Sequence, residues 1–590
     1  VTSFQGAIEQ GSFRCNNRQL PTTNTPQRQL LMGGDEVRDS ATPKTALAPP
    51  HPIPQRTTHH SWFSCYARAM LMTAELLLQY QRCNRRPFLD RHGDLALKDA
   101  PSELLLKLQQ DKFEHRQSMM AERIYQQPQY SKEDWQAGAT ATWQLMQQGV
   151  EQIYRGVIIA RTSEDVTLLS RPDLLIKQPG QSIFGNWMYI PAQIELGKRP
   201  KLEYQVVAAF HGQALGMVQE NTPDRAWLLL RRKEMYEVSL ARVLPQMQQI
   251  FAECVQTLAA PQAPEVFISR QRCSLCRWYS YCSGVARSQQ HLSLLPGVTP
   301  NRYKELQAID LVTLESLAKA NSSDLASLRG FDKKIAHHLV LQAQSVLENR
   351  PISLLREQGR KRAEGAEEAE GAEGAVFNQQ SLTVKYQLPI TNYPLPNPIE
   401  IYFDIEAQPD LNLDYMLGVL VVDRLKQTET FHSLLAETQS DESTIWQQFL
   451  DIVGRYPQAP IFHFFSYEVE TIRRLAQLYR TPAEQVRSIV DRCVDIYEQI
   501  AQTVVLPIES YALKAIARWI GFEWRDPQAH GSQCIYWYDR WLATGDRSFL
   551  EAIERYNEDD CRATRLVKDW LETFIKRELE TDLDRVSLVS

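Results

Sequence analysis

Four acidic side chains and a tyrosine in the last third of the chain have the types and spacing that hydrolytic metal chemistry requires. Asp404 and Glu406 stand two positions apart in the strand-like run Ile399–Glu406. A strand repeats every two residues, so both carboxylates point to one face. Ionised carboxylates side by side repel unless a cation neutralises them, and hard divalent cations prefer such oxygen ligands. Far downstream, Tyr556 and Asp560 are four apart in a helical run and share a helix face. Between them the strand-like Ile461–Phe465 leads into a helix carrying Glu468, with Asp495 as the alternative acid. Taken singly, the acids could cap a strand edge and the tyrosine could pack in a core. Taken together they suit two Mg²⁺ or Mn²⁺ ions, one activating water and one stabilising a leaving oxygen, with the tyrosine positioning the nucleophile.

A second constellation is sulfur. Cys273, Cys276 and Cys282 crowd into ten residues, and Cys83 in Tyr80–Arg86 is the candidate fourth ligand. Four thiolates suit zinc or a [4Fe–4S] cluster, and spacing alone leaves both open. Ten cysteines in 590 residues are no disulfide scaffold. The expectation is metal ligation in a reducing compartment, hence a cytoplasmic protein. No apolar run is long enough to span a membrane.

These residues need several domains to position them, because 590 residues exceed one core. Residues 1–69 are polar, rich in Pro, Thr, Gln and Asn, and read either as a disordered extension or as sequence upstream of a start at Met70 or Met72. Helical periodicity begins at Met70, and from 70 to 290 helices alternate with strand-like runs at Tyr154–Ala160, Val166–Leu169, Asp173–Ile176, Met188–Ile190 and Ala226–Arg231. Residues 291–352 are helical and contain Leu-Pro-Gly297-Val and Leu-Arg-Gly330-Phe. A glycine turn at a helix start exposes N–H groups to phosphate, and Arg302, Lys333 and Lys334 follow these turns. The alternative is a plain helical spacer. An Ala/Glu/Gly linker occupies 353–396, and a second α/β domain fills 397–590. With a formal charge of −6, any nucleic-acid surface must be a local basic patch.

Four resemblances attach to these motifs and to their order. Phe403-Asp-Ile-Glu406, His463-Phe-Phe-Ser-Tyr-Glu468 and Tyr556-Asn-Glu-Asp-Asp560, with Ser510–Lys514 and Gly521–Trp524, resemble the YprB-like, RNase H-fold branch of the DEDDy exonucleases. That resemblance implies metal bound by Asp404, Glu406 and Asp560, and Tyr556 orienting water. It departs at the middle motif, where Glu468 stands for the usual Asp. One N-terminal cysteine joined to three C-terminal ones is similar to the RecB-like, iron–sulphur PD-(D/E)XK nucleases, a restriction-endonuclease-like fold. It implies a structural [4Fe–4S] cluster, with zinc as the alternative, and a metal site at His115 and Asp173. Gln193 and Glu195 stand where that family has an acid and a lysine. The N-terminal site is therefore expected to be impaired, unless Glu195 takes the metal and Lys198 or Lys201 the positive charge. The glycine turns resemble helix–hairpin–helix units. The order of the three parts resembles RecB-like nucleases fused to a YprB-like domain. It implies a nuclease acting on nucleic acid, DNA favoured over RNA, with no membrane partner. A helicase or repair partner is left open. The competing classes are a non-catalytic nucleic-acid scaffold and a ribonuclease.

Overall fold

The computed structural model describes residues 70–162, 166–231, 235–355, 397–527 and 529–587. The expectations for 1–69 and for most of the 353–396 linker lie outside these residues. Met70–Thr73 is a strand, β1, not the start of a helix. It pairs parallel to β4 (Val166–Ser170), which also pairs antiparallel with β3 (Ile158–Arg161). Sheet pairing overrides the helical leaning of Met and Leu here. The helix begins only at Ala74, where the Thr73 side chain accepts from the Leu76 amide at 3.1 Å.

The expected strand Tyr154–Ala160 is two strands. Arg155 takes φ +52° and breaks it, so β2 (Gln152–Tyr154) enters a different sheet from β3. That mixed five-stranded sheet runs β2, β5 (Leu174–Ser182), β6 (Gly185–Ile194), β7 (Arg225–Leu229), β8 (Met235–Ser239). The apolar helix Leu202–Gln219 is buried along most of its length against both sheets. A helix that is apolar all round belongs in the middle of a core.

Between Leu292 and Glu348 short helices enclose a small core of Leu292, Leu306, Leu317 and Leu339. This module is joined to the C-terminal domain by its own strand. β9 (Ile352–Ser353) pairs antiparallel with β15 (Val504–Val505), and the Gln342 amide donates to the Leu506 carbonyl; from the helix Tyr279–Ser288 before the module, Arg287 adds a grip on the Glu509 carboxylate at 2.8 and 3.1 Å.

The C-terminal sheet has the order β12 (Thr428–Leu435), β11 (Leu413–Asp423), β10 (Ile399–Gln408), β13 (Ile461–His463), β14 (Cys493–Asp495). β10 and β11 are antiparallel, whereas β10, β13 and β14 are parallel. β10 is covered on both faces. Its odd residues Ile401, Phe403 and Ile405 are buried, with Phe403 packed 4.6 Å from Phe449 of the helix Glu442–Arg455. Its even residues face the long terminal helix Ser548–Ser587, with Glu400 bound to Lys568 at 2.7 Å and Asp404 to Asn557 at 2.7 Å. No helix among the described residues is long and apolar enough to cross a membrane.

Candidate metal centre

Strand periodicity brings Asp404 and Glu406 to the same face of β10, and the terminal helix delivers Asp560 to that face. One ligand oxygen from each of Asp404, Glu406 and Asp560 lies within 4.8 Å of the others. Glu406 and Asp560 are buried and Asp404 is half-buried. Among the described residues they are the only such group, and no Lys, Arg or His forms an ion pair with any of them.

Neutral donors fix the set instead. The Asn557 amide donates to Asp404, the Trp524 indole N–H donates to Asp560 Oδ1 at 2.7 Å, and the Tyr556 phenol stands beside the same carboxylate. Gly418, opposite Asp404 on β11, makes the first of these possible: a Cβ there would sit 1.6 Å from Asn557 Oδ1. The charge balance is unfavourable. Burial, and then the Asp560, Glu406 and Glu468 charges, raise the Asp404 carboxyl well above the usual range; burial and the Asp560 and Glu468 charges do the same to Glu406. Burial pushes Asp560 up to about 7. Burial raises the Tyr556 phenol too, so it stays a protonated donor.

Glu468 is buried on the first turn of the helix Tyr467–Leu478, beside the trio but outside its tight group. His463 Nδ1 lies 3.7 Å from its Oε2, an atom that has no hydrogen-bond partner. Asp495, the alternative acid, is used otherwise: it caps the helix Ile496–Thr503, accepting from the Tyr497 amide at 2.9 Å. Lys514 is a cation to which the sequence reading gave no role. Its Nζ lies 5.2 Å from the Trp524 ring centre and 5.1 Å from that of Tyr556, close enough for its charge to act on Asp560.

Residues 401–572 match the RNase H superfamily. The stretch runs from β10 into the terminal helix, so it contains all three acids of the trio, Glu468 and Tyr556. Comparison with curated proteins gives no match.

The other predicted constellations fare differently. His115, Asp173 and Glu195 do not gather into a metal group among the described residues. The helix Glu103–Met120 supplies their countercharges: Arg116 pairs with Asp173 at 2.6 Å and Lys112 with Glu195 at 3.1 Å. The Ile194 amide also donates to Asp173. Lys112, rather than Lys198 or Lys201, is the lysine that pairs with Glu195. Buried His115 Nε2 and Gln193 Oε1 have no hydrogen-bond partner, and burial lowers the His115 pKa.

Cys83 follows the helix Ala74–Arg82, while Cys273, Cys276 and Cys282 come from 270–288. The four thiols meet closely enough for Cys83 to oppose ionisation of the other three, each raised first by burial. No three of them draw within 4.8 Å.

In the helical module Gly297 and Gly330 take φ +88° and +82°, as the turn reading requires. Arg302 does not point out to a ligand with its full guanidinium. It ties the turns together, donating to the Gly297 carbonyl at 2.8 Å and the Gly330 carbonyl at 2.9 Å, and so satisfies acceptors the turns leave unpaired. Lys333 and Lys334 are exposed at the start of the helix Lys333–Glu348.

Proposed function

We propose that the C-terminal domain is a metal-dependent exonuclease of the YprB-like, DEDDy kind, hydrolysing phosphodiester bonds of nucleic acid, DNA favoured over RNA. The observation that carries this reading is the converged trio Asp404, Glu406 and Asp560, two of the three buried and none of them held in an ion pair. A nucleic-acid scaffold has no use for it, because uncompensated carboxylates repel phosphate. Divalent cations held by the trio, with Glu468 at its edge, supply Lewis-acid stabilisation of the charge that builds on phosphoryl oxygens. The chain's own groups do the rest. Trp524 and Asn557 lock the carboxylate orientations, Tyr556 hydrogen-bonds and orients the attacking water, and Lys514 offers positive charge beside the acids.

The N-terminal part is proposed as a RecB-like domain, 70–290, whose metal site is silenced by Lys112 and Arg116. Its four cysteines hold a [4Fe–4S] cluster in preference to zinc. The module 291–352 is proposed as a helix–hairpin–helix pair that steadies phosphates through the Gly297 and Gly330 turns and Lys333 and Lys334.

The test is digestion of end-labelled single-stranded DNA and RNA by the full chain with Mn²⁺. Activity abolished by Asp404→Ala and kept by Asp173→Ala is the expected result. Loss only with Asp173→Ala would reverse the two heads, and an inert wild-type chain that still binds both strands would leave the scaffold.

A further inference from the structure

The loop leaving β13 sets an exposed aromatic ring at the rim of the acid site, and the chemistry above does not use it. Phe465 has φ +76°, in the left-handed region that glycine enters freely and a bulky residue does not. Two side chains hold it there. Asp495 Oδ1 accepts from its amide at 3.1 Å, and His463 Nδ1 donates to its carbonyl at 2.6 Å. Both groups border Glu468. The ring is 43% exposed, yet it is not loose: it lies 4.1 Å from Tyr497, tilted by 34°, and 5.1 Å edge-on from Phe464. Two residues on, Tyr467 is 45% exposed, its hydroxyl tied to Asp414 at 2.9 Å. Because β10, β13 and β14 run parallel, this loop and the acids of β10 lie toward the same carboxyl edge of the sheet. That edge is where such sheets receive ligands.

A ring needed only for packing would be buried. A turn needed only for its shape would carry glycine. We propose that Phe465, backed by Tyr497, is the stacking platform for the base beside the scissile phosphate, so that the domain takes single-stranded ends. The inference rests on the exonuclease reading. Every base has a π-face, so a platform of this kind holds the strand without reading its sequence. A base inside a duplex would first have to be unpaired and unstacked to reach it.

The test uses the full chain, Mn²⁺ and end-labelled single-stranded DNA, either intact or with an abasic residue at the terminal position, each end labelled in turn. Phe465→Ala should raise KM by about 5- to 100-fold, with kcat at saturation nearly unchanged, and Phe465→Trp should restore it. Phe465→Gly should weaken binding as Ala does while melting no lower than wild type, because glycine fits the left-handed turn. The abasic strand should bring wild type down to the level of Phe465→Ala, and the substitution should then have no further effect. Equal KM values for wild type and Phe465→Ala on intact strands would overturn the proposal, as would losses that multiply when variant and abasic strand are combined. If wild type digests strands in an Asp404-dependent way but ignores Phe465, the platform alone fails. If wild type neither binds nor digests single strands, the exonuclease reading fails with it.

Discussion

Replacing Asp560 by Asn should flatten the way stability falls with pH. The carboxyl of Asp560, ordinarily near 3.8, is pushed up to about 7 by burial. Folding therefore favours its protonated form. That stability is fully present below about pH 4 and is lost as pH rises through about 7. At about 1.36 kcal/mol per pH unit, moving metal-free protein from pH 5 to pH 8 should remove about 3 kcal/mol through this one group. The Asn variant carries no such proton, so the stability difference should swing by about 3 kcal/mol in its favour over that interval. Relief of the repulsion on Asp404 and Glu406 enlarges the swing. For a domain of this size the change corresponds to roughly 5–10 °C in Tm, readable by calorimetry in EDTA. Mg²⁺ should act oppositely. At about a thousand times its Kd it adds about 4 kcal/mol to the wild type and little to the variant, and its binding should release protons. A pH-independent difference between the two proteins, or equal stabilisation of both by Mg²⁺, would refute the argument that these carboxylates await a cation.

Gly418→Ala should lower stability by about 1–3 kcal/mol, because its Cβ collides with Asn557; pairing it with Asn557→Ala in a denaturation series should give a markedly non-additive total. Lys514→Met should reduce kcat by ten-fold or more, while Lys514→Arg keeps most of it, as single-turnover assays with Mn²⁺ would show. Anaerobically purified chain should be brown, absorbing near roughly 400 nm as cysteine-ligated iron–sulphur clusters do. Cys276→Ser should bleach it, and a colourless protein containing stoichiometric zinc would replace the cluster.

What the sequence showed of the metal centre was what local periodicity encodes. Two carboxylates at spacing two on a strand, and Tyr556 with Asp560 at spacing four on a helix, announce their shared faces without any knowledge of the fold. The partners that hold them were hidden for the same reason. Asn557 meets Asp404 only because Gly418 lets helix and strand close together, and Trp524 and Lys514 arrive from a segment with no repeat in register with the acids. In the N-terminal part, pattern reading found most strands but not the break at Arg155, where one residue's backbone sends the chain into another sheet. It offered Lys198 and Lys201, downstream of Glu195, for the positive charge, whereas Lys112 beside Glu195 and Arg116 beside Asp173 come from a helix more than fifty residues earlier. Arg302 illustrates the converse. Its charge suggested a ligand, and the fold uses it as a clasp between two turns.

The short ribbon formed by β9 and β15, together with the grip of Arg287 on Glu509, has a consequence for the covalent connection. The helical module and the domain after it recognise each other through paired backbone and matched side chains, so severing the chain anywhere between 356 and 396 should leave two fragments that travel as one particle. Expressed as separate polypeptides, the halves should reassemble on mixing, with the intervening segment dispensable for their union.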